Sequence, residues 1–235
     1  MRAPSLFITA LVGLIVNVSV AHASTVTFVT PPGSTTGGGA VNASATFTTG
    51  PGIMSVVLQN LQANPTDIAQ LISDLDFTLS TGATTGTSLA SLTQQITVNS
   101  GGTTTLGSTG STGWGLNNNV SGGLQLDALG FIGPAMLIIG PPGAGGLYTN
   151  ANGSIAGNGP HNPFSNQTAT FGIDIAGLTA SDTVTSATFS FGTTAGVNVT
   201  GVVSPLPAAL PLFATGLGAV GLLGWRRKRK APGVS

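Results

Sequence analysis

The stretch ATFGIDIAGLTASDTVTSATFSFG, residues 169–192, decides the fold. Ala169, Phe171, Ile173 and Ile175 recur at every second residue, with Thr170, Gly172 and Asp174 between them. After a break through Gly177 and Asp182 the pattern returns in Ala187, Phe189 and Phe191. Alternate side chains of an extended chain lie on opposite faces, so each run reads as a half-buried strand, over 168–175 and 183–191. The two runs are expected to pair as a hairpin with a long loop.

The alternation recurs upstream. Ala45 and Phe47 share a face in SATFTT (44–49), as do Leu75, Phe77 and Leu79 in LDFTL (75–79). Between such runs stand turn signals: Pro31-Pro32-Gly33, Gly50-Pro51-Gly52, Gly101-Gly102, Gly122-Gly123 and Pro141-Pro142-Gly143. Many short strands punctuated this way predict an all-β fold, an antiparallel, jelly-roll-like β-sandwich with Gly/Thr-rich loops over residues 24–203. One helical interruption is expected at PTDIAQLISDL (65–75), with Thr66 or Asp67 as cap and Ile68, Leu71 and Ile72 on one face.

Charge is sparse and unevenly placed. No Lys or Arg occurs from Ala3 to Trp225, and the six acids, all aspartates, lie between Asp67 and Asp182. The middle of the chain is therefore anionic although the net charge is zero. A nucleic acid needs cations to displace its counterions, so no nucleic-acid partner is expected. The absence of cysteine excludes disulfides, thiol nucleophiles and thiolate metal sites.

The two ends read as export signals. Arg2, the apolar run Leu6–Val16 and the small-x-small site Ala21-His22-Ala23 before Ser24 form the pattern of a signal peptide over 1–23. At the other end, 20 apolar or small residues from Leu206 to Trp225 are long enough to cross a bilayer, and regular helix is expected over about 208–225. Arg226, Arg227, Lys228, Arg229 and Lys230 follow, which the positive-inside rule places in the cytoplasm. Residues 231–235 are a short tail.

Ser204-Pro205-Leu206-Pro207-Ala208, the Gly-rich apolar helix and the basic cluster together resemble the PEP-CTERM sorting signal in its Val-Pro-Leu-Pro-Ala variant, with Ser204 where that variant has Val. The resemblance covers residues 204–230. It implies a Gram-negative envelope protein that meets signal peptidase, is held in the inner membrane by its C-terminal helix, and is then recognised by an exosortase. The mature protein would reside at the cell surface or outside the cell, in strains that make exopolysaccharide or biofilm. The resemblance says nothing of the domain being sorted.

The middle offers few groups for chemistry. Asp74 and Asp76 on one strand would lie about 6.6 Å apart on the same side. That spacing suits glycoside hydrolysis, but parallel carboxylates do not flank a bond, and the wet face of an amphipathic strand explains them as well. With Asp67 they could hold a structural Ca²⁺, the one cofactor considered. His161 lies between Pro160 and Asn162 in a loop, with no nucleophile elbow in the chain. No catalytic residue is assigned. Trp114 and Tyr148 stand in Gly-rich stretches expected to be loops. Exposed there, they could stack on sugars of an extracellular polysaccharide; packed inward, they are core aromatics. Hence the expected function is a structural or adhesive surface protein, with a carbohydrate-binding module as the alternative and a glycoside-active enzyme behind both.

Overall fold

The structure is a computed structural model that describes residues 23–130, 135–151, 153–194 and 196–204. The cleavage-site Ala21, the motif from Pro205 to Ala208, the expected helix 208–225, the cluster Arg226–Lys230 and the tail 231–235 lie outside the described residues. Among the described residues no helix is long and apolar enough to cross a membrane.

The chain is all-β. The strands are β1 (Ser24–Val29), β2 (Thr35–Thr36), β3 (Gly39–Ala40), β4 (Ala43–Gly50), β5 (Ile53–Asn60), β6 (Ile72–Leu79), β7 (Thr87–Val98) and β8 (Thr104–Gly110). They continue as β9 (Gly115–Val120), β10 (Gly123–Asp127), β11 (Ile138–Ile139), β12 (Phe164–Asp174), β13 (Val184–Phe191), β14 (Asn198–Thr200) and β15 (Val202–Val203). Thirteen of them form one hydrogen-bonded network in the order β14-β13-β6-β11-β12-β5-β4-β1-β15, while β2 pairs only with β3. Two branches leave this path: β10 and β9 extend from β6, and β7 and β8 from β12. The sheet is mixed, because β11 runs parallel to β12 while its other side pairs antiparallel with β6.

The network folds back on itself. Phe47 of β4 and Phe77 of β6, with three strands between them in pairing order, bring their rings to 5.3 Å, and Phe28 of β1 packs edge-on against Phe47 at 6.1 Å. Trp114, just before β9, meets Phe171 of β12 at 5.3 Å. The core lies between the facing limbs. The alternation explains why: Ala45, Phe47, Leu75, Phe77, Ala169, Phe171, Ile173, Ala187, Phe189 and Phe191 are all buried, each at every second position of its strand. Completely burying one of the Leu, Ile or Phe side chains contributes about 1.5–3 kcal/mol.

Two local expectations are corrected. The hairpin between 168–175 and 183–191 does not form. Both edges of β12 are taken, by β5 and β11 on one side and by β7 on the other, so β13 pairs with β6 and β14 instead. The connection carries the chain from one limb to the other, held by Ile175, Leu178 and Ala180, all buried. Backbone bonds from Gly52 N–H to Leu178 and from Ser24 N–H to Ala180 fix its path.

The helix at 65–75 shrinks to one 3₁₀ turn, Ile68–Gln70. Its cap is the expected Asp67, whose carboxylate accepts from Ala69 N–H at 2.9 Å. Leu71 and Ile72 are buried, as a helical face would have them, but in extended backbone, because Ile72 opens β6. The buried Gln70 completes a capping box: its Oε1 accepts from Thr66 N–H and Asp67 N–H, and its Nε2 donates to Ala40. The turn ends at Leu71, which is already extended as the chain enters β6.

Candidate functional site

β6 is a central strand, with β10 on one side and β13 on the other. This overturns the wet-face reading of Asp74 and Asp76. The two do share a side, as period two requires, but Asp74 is only 5% exposed while Asp76 is half-buried. The register sets Asp127 of β10 directly opposite Asp74, and Gln125 opposite Asp76. On the other flank Ser190 faces Asp74 and Thr188 faces Asp76.

Asp127 was not singled out in the sequence. The signal was present, since Leu124 and Leu126 alternate with Gln125 and Asp127, but the pairing partner of that strand is not readable from it. Three N–H donors converge on the Asp127 carboxylate. Leu129 N–H and Gly130 N–H reach Oδ1 at 2.6 and 3.1 Å, and Asn117 Nδ2 reaches Oδ2 at 2.9 Å. The Asp127 carboxylate is thus held by three donors, and Asp74 faces it across the ladder. Burial first, and then the hydrogen bond and charge of Asp127, push Asp74 up to about 8. Burial also raises Asp76, opposed by a hydrogen bond from Gln125. One Asp76 oxygen, Oδ1, is buried without a hydrogen-bond partner.

Beside Asp76 opens a cleft of about 250 Å³ whose rim carries Thr78, Ser121, Ser186, Thr188 and Asn198. Only Asp76 of the three carboxyls lines it. A glycosidic bond must be flanked by two accessible carboxyls. Here Asp74 and Asp127 face each other inside the sheet, and neither lines the cleft. Asp67 is elsewhere, capping the 3₁₀ turn, and the expected Asp67–Asp74–Asp76 calcium set does not assemble. Among the described residues no group of three or more His, Cys, Asp or Glu gathers to hold a metal.

Trp114 and Tyr148 are core aromatics. Trp114 is 7% exposed, lies against Phe171, and donates its indole N–H to Met136 at 2.7 Å. Tyr148 is 1% exposed and donates its hydroxyl to Gly140 at 2.7 Å. Both stand in loops, as expected, and take the inward of the two readings, because each ring finds a carbonyl for its polar end inside the protein, which removes the reason to stay at the surface. Gly102 helps to seat Tyr148: it adopts φ 82°, and a Cβ there would strike the Tyr148 carbonyl. His161 Nδ1 lies 2.7 Å from the Ala135 carbonyl, a loop tie. Of the sorting motif, Ser204 alone is described; its N–H donates to Thr27 at 2.8 Å.

No family model matches this chain, and neither a curated protein nor a solved structure matches it significantly.

Proposed function

We propose that the chain is an exported, exosortase-sorted surface protein whose folded body plays a structural or adhesive part in an extracellular, polysaccharide-containing matrix. We read that body as a jelly-roll-like sandwich, the folded-over sheet serving as its two layers. The observation that carries the reading is the pairing of β1 with β15. β1 begins at Ser24, directly after the Ala21-His22-Ala23 site, and β15 ends at Val203, directly before the Ser204–Ala208 motif. The two strands are antiparallel, with Phe28 opposite Val203 and Val29 opposite Val202. The chain therefore leaves β15 opposite Phe28 and, with Ser204 N–H bonded to Thr27, heads toward the end at which it enters β1, which suits a body tethered to one membrane through both flanks before processing.

The reading is non-enzymatic and assigns no cofactor. Its support is that the protonated Asp74 and the donor-saturated Asp127 face each other rather than a substrate cleft. Partners on this reading are signal peptidase, exosortase and extracellular polymer, with no nucleic acid. The deciding measurement is mass spectrometry of the C-terminal peptide of the protein from its own cells. A terminus between Val203 and Ala209 is expected. Recovery of the peptide Trp225–Ser235 intact in the membrane fraction would overturn the sorting step.

A further inference from the structure

Three Thr-x-Thr triplets lie on β1, β4 and β12: Thr25-Val26-Thr27, Thr46-Phe47-Thr48 and Thr168-Ala169-Thr170. In each the middle side chain points to the core, with Phe47 and Ala169 completely buried. The threonines therefore share the opposite face. The register aligns them. Thr27, Thr46, Val57, Thr170 and Leu92 form one row across β1, β4, β5, β12 and β7, and Thr25, Thr48, Ser55 and Gly172 form the next. A third row runs Ser44, Gln59 and Thr168. No described strand packs over this face. Thr25, Thr170 and Leu92 are exposed and Thr27, Thr46, Thr48, Ser55 and Val57 half-buried among themselves.

The hydroxyls are already spaced for lateral bonding. Thr25 and Thr48 oxygens lie 3.3 Å apart, Thr27 and Thr46 oxygens 2.9 Å, and Gln59 bridges Ser44 and Thr168 at 3.3 Å each. A hydroxyl has one donor and two lone pairs. Each threonine pair consumes one donor and one lone pair, leaving one donor and three lone pairs free, all on one side of the sheet. The face carries no aromatic and no cation; its one charge, Asp174, sits at the margin opposite Ile53.

These properties select the occupant. An anionic polymer would meet no cation on a body of net negative charge. Four strand spacings by about three residue pairs give a face of roughly 20 by 20 Å, near 400 Å², half of the ~800 Å² per partner that a stable protein dimer buries. An extended chain of neutral sugars fits both limits: its hydroxyls exchange hydrogen bonds with the free donors and lone pairs, and its C–H faces lie on the threonine methyls, Val57 and Leu92. We propose that the Thr25–Thr27, Thr46–Thr48 and Thr168–Thr170 face binds a neutral, hydroxyl-rich polysaccharide chain. The proposal deepens the matrix reading above and rests on it for the source of the polymer.

The test applies the protein as isolated from its own cells to cellulose, dextran and galactomannan, with alginate as an anionic counterpart. Retention on at least one neutral polymer and none on alginate is expected. Replacing Thr27→Val, Thr46→Val and Thr170→Val together keeps shape and strand propensity while removing three hydroxyls. It should weaken retention by at least about tenfold at an unchanged melting temperature. Absence of retention on all three neutral polymers would overturn the proposal. So would equal or stronger retention of the valine variant, which would mark the face as an apolar or self-association surface. Should the valine variant itself melt early, Thr46→Ser and Thr170→Ser serve in its place; they keep the hydroxyls, and loss of retention in a folded serine variant would equally overturn it. The C-terminal mass measurement is independent: retention without C-terminal processing would leave this face standing and remove the sorting step.

Discussion

Asp74 and Asp127 are cross-strand partners in the β6–β10 ladder, and both are buried, at 5% and 7% exposure. Like charges directly opposite each other in a sheet are destabilising. Burial first, and then Asp127, push Asp74 up to about 8, so Asp74 is neutral below that pH, and that makes the sheet a pH-dependent structure.

The sign follows from linkage. The folded Asp74 titrates near 8, the unfolded one near 3.8. The native state binds the proton more tightly, so the stability from this group is complete below about pH 4 and is lost as pH rises through 8. Asp74→Asn keeps the shape without the charge. It should match wild type at pH 4 and exceed it by roughly 3 kcal/mol at pH 9, about half of what the full shift would give at 1.36 kcal/mol per unit, because the cleft beside Asp76 admits water. Denaturant titrations of both proteins at the two pH values measure this. A pH-independent difference would exclude the raised titration of Asp74.

Asp127→Asn acts in the opposite sense at the same place. It weakens the acceptor of Leu129 N–H and Gly130 N–H. The cost expected is about 1–3 kcal/mol at pH 5. At pH 9 the relief of repulsion on Asp74 should offset part of it. Thermal melts at both pH values give the comparison.

Trp114 is a test of core against surface. Trp114→Ala should cost about 3–5 kcal/mol through the lost ring contact with Phe171. Trp114→Phe should cost about 1–3 kcal/mol, because the Met136 carbonyl loses its buried donor. Binding to any polymer should change only in parallel with unfolding. Loss of binding by a completely folded Trp114→Phe protein would restore the aromatic to a contact role.

Asn60, at 1% exposure, joins three parts of the fold. Its amide donates to Gln70 at 2.9 Å and Ile138 at 2.8 Å, and its oxygen accepts from Gln62 N–H at 3.0 Å. Asn60→Ala should cost about 2–4 kcal/mol. Hydrogen exchange should quicken at Leu71 and Ile139 before β1 or β4 is affected. Uniform quickening across all strands would show that Asn60 does not act locally.

Much of this was legible residue by residue. The buried face of β4, β6, β12 and β13 followed from alternation, the 50–52 turn from Pro51-Gly52, and a cap at Thr66 or Asp67 from their place before an apolar turn. What failed had one cause. Strand partners, the burial of Asp74, the choice between inward and outward for Trp114 and Tyr148, and the role of Asp127 all depend on how distant strands pair and pack.

The sequence by itself determined that the folded body is β-rich, that it carries almost no charge, and which side chains of each strand face inward. Those properties are local, because period two acts within a single strand and composition needs no neighbour. Only the tertiary structure decided that β12 and β13 part company, that Asp74 meets Asp127, and that three Thr-x-Thr triplets align into one face. Those outcomes rest on long-range register, and many registers satisfy the same alternation. The selection among them comes from the simultaneous burial of Phe28, Phe47, Phe77, Trp114 and Phe171 between the two limbs of one sheet.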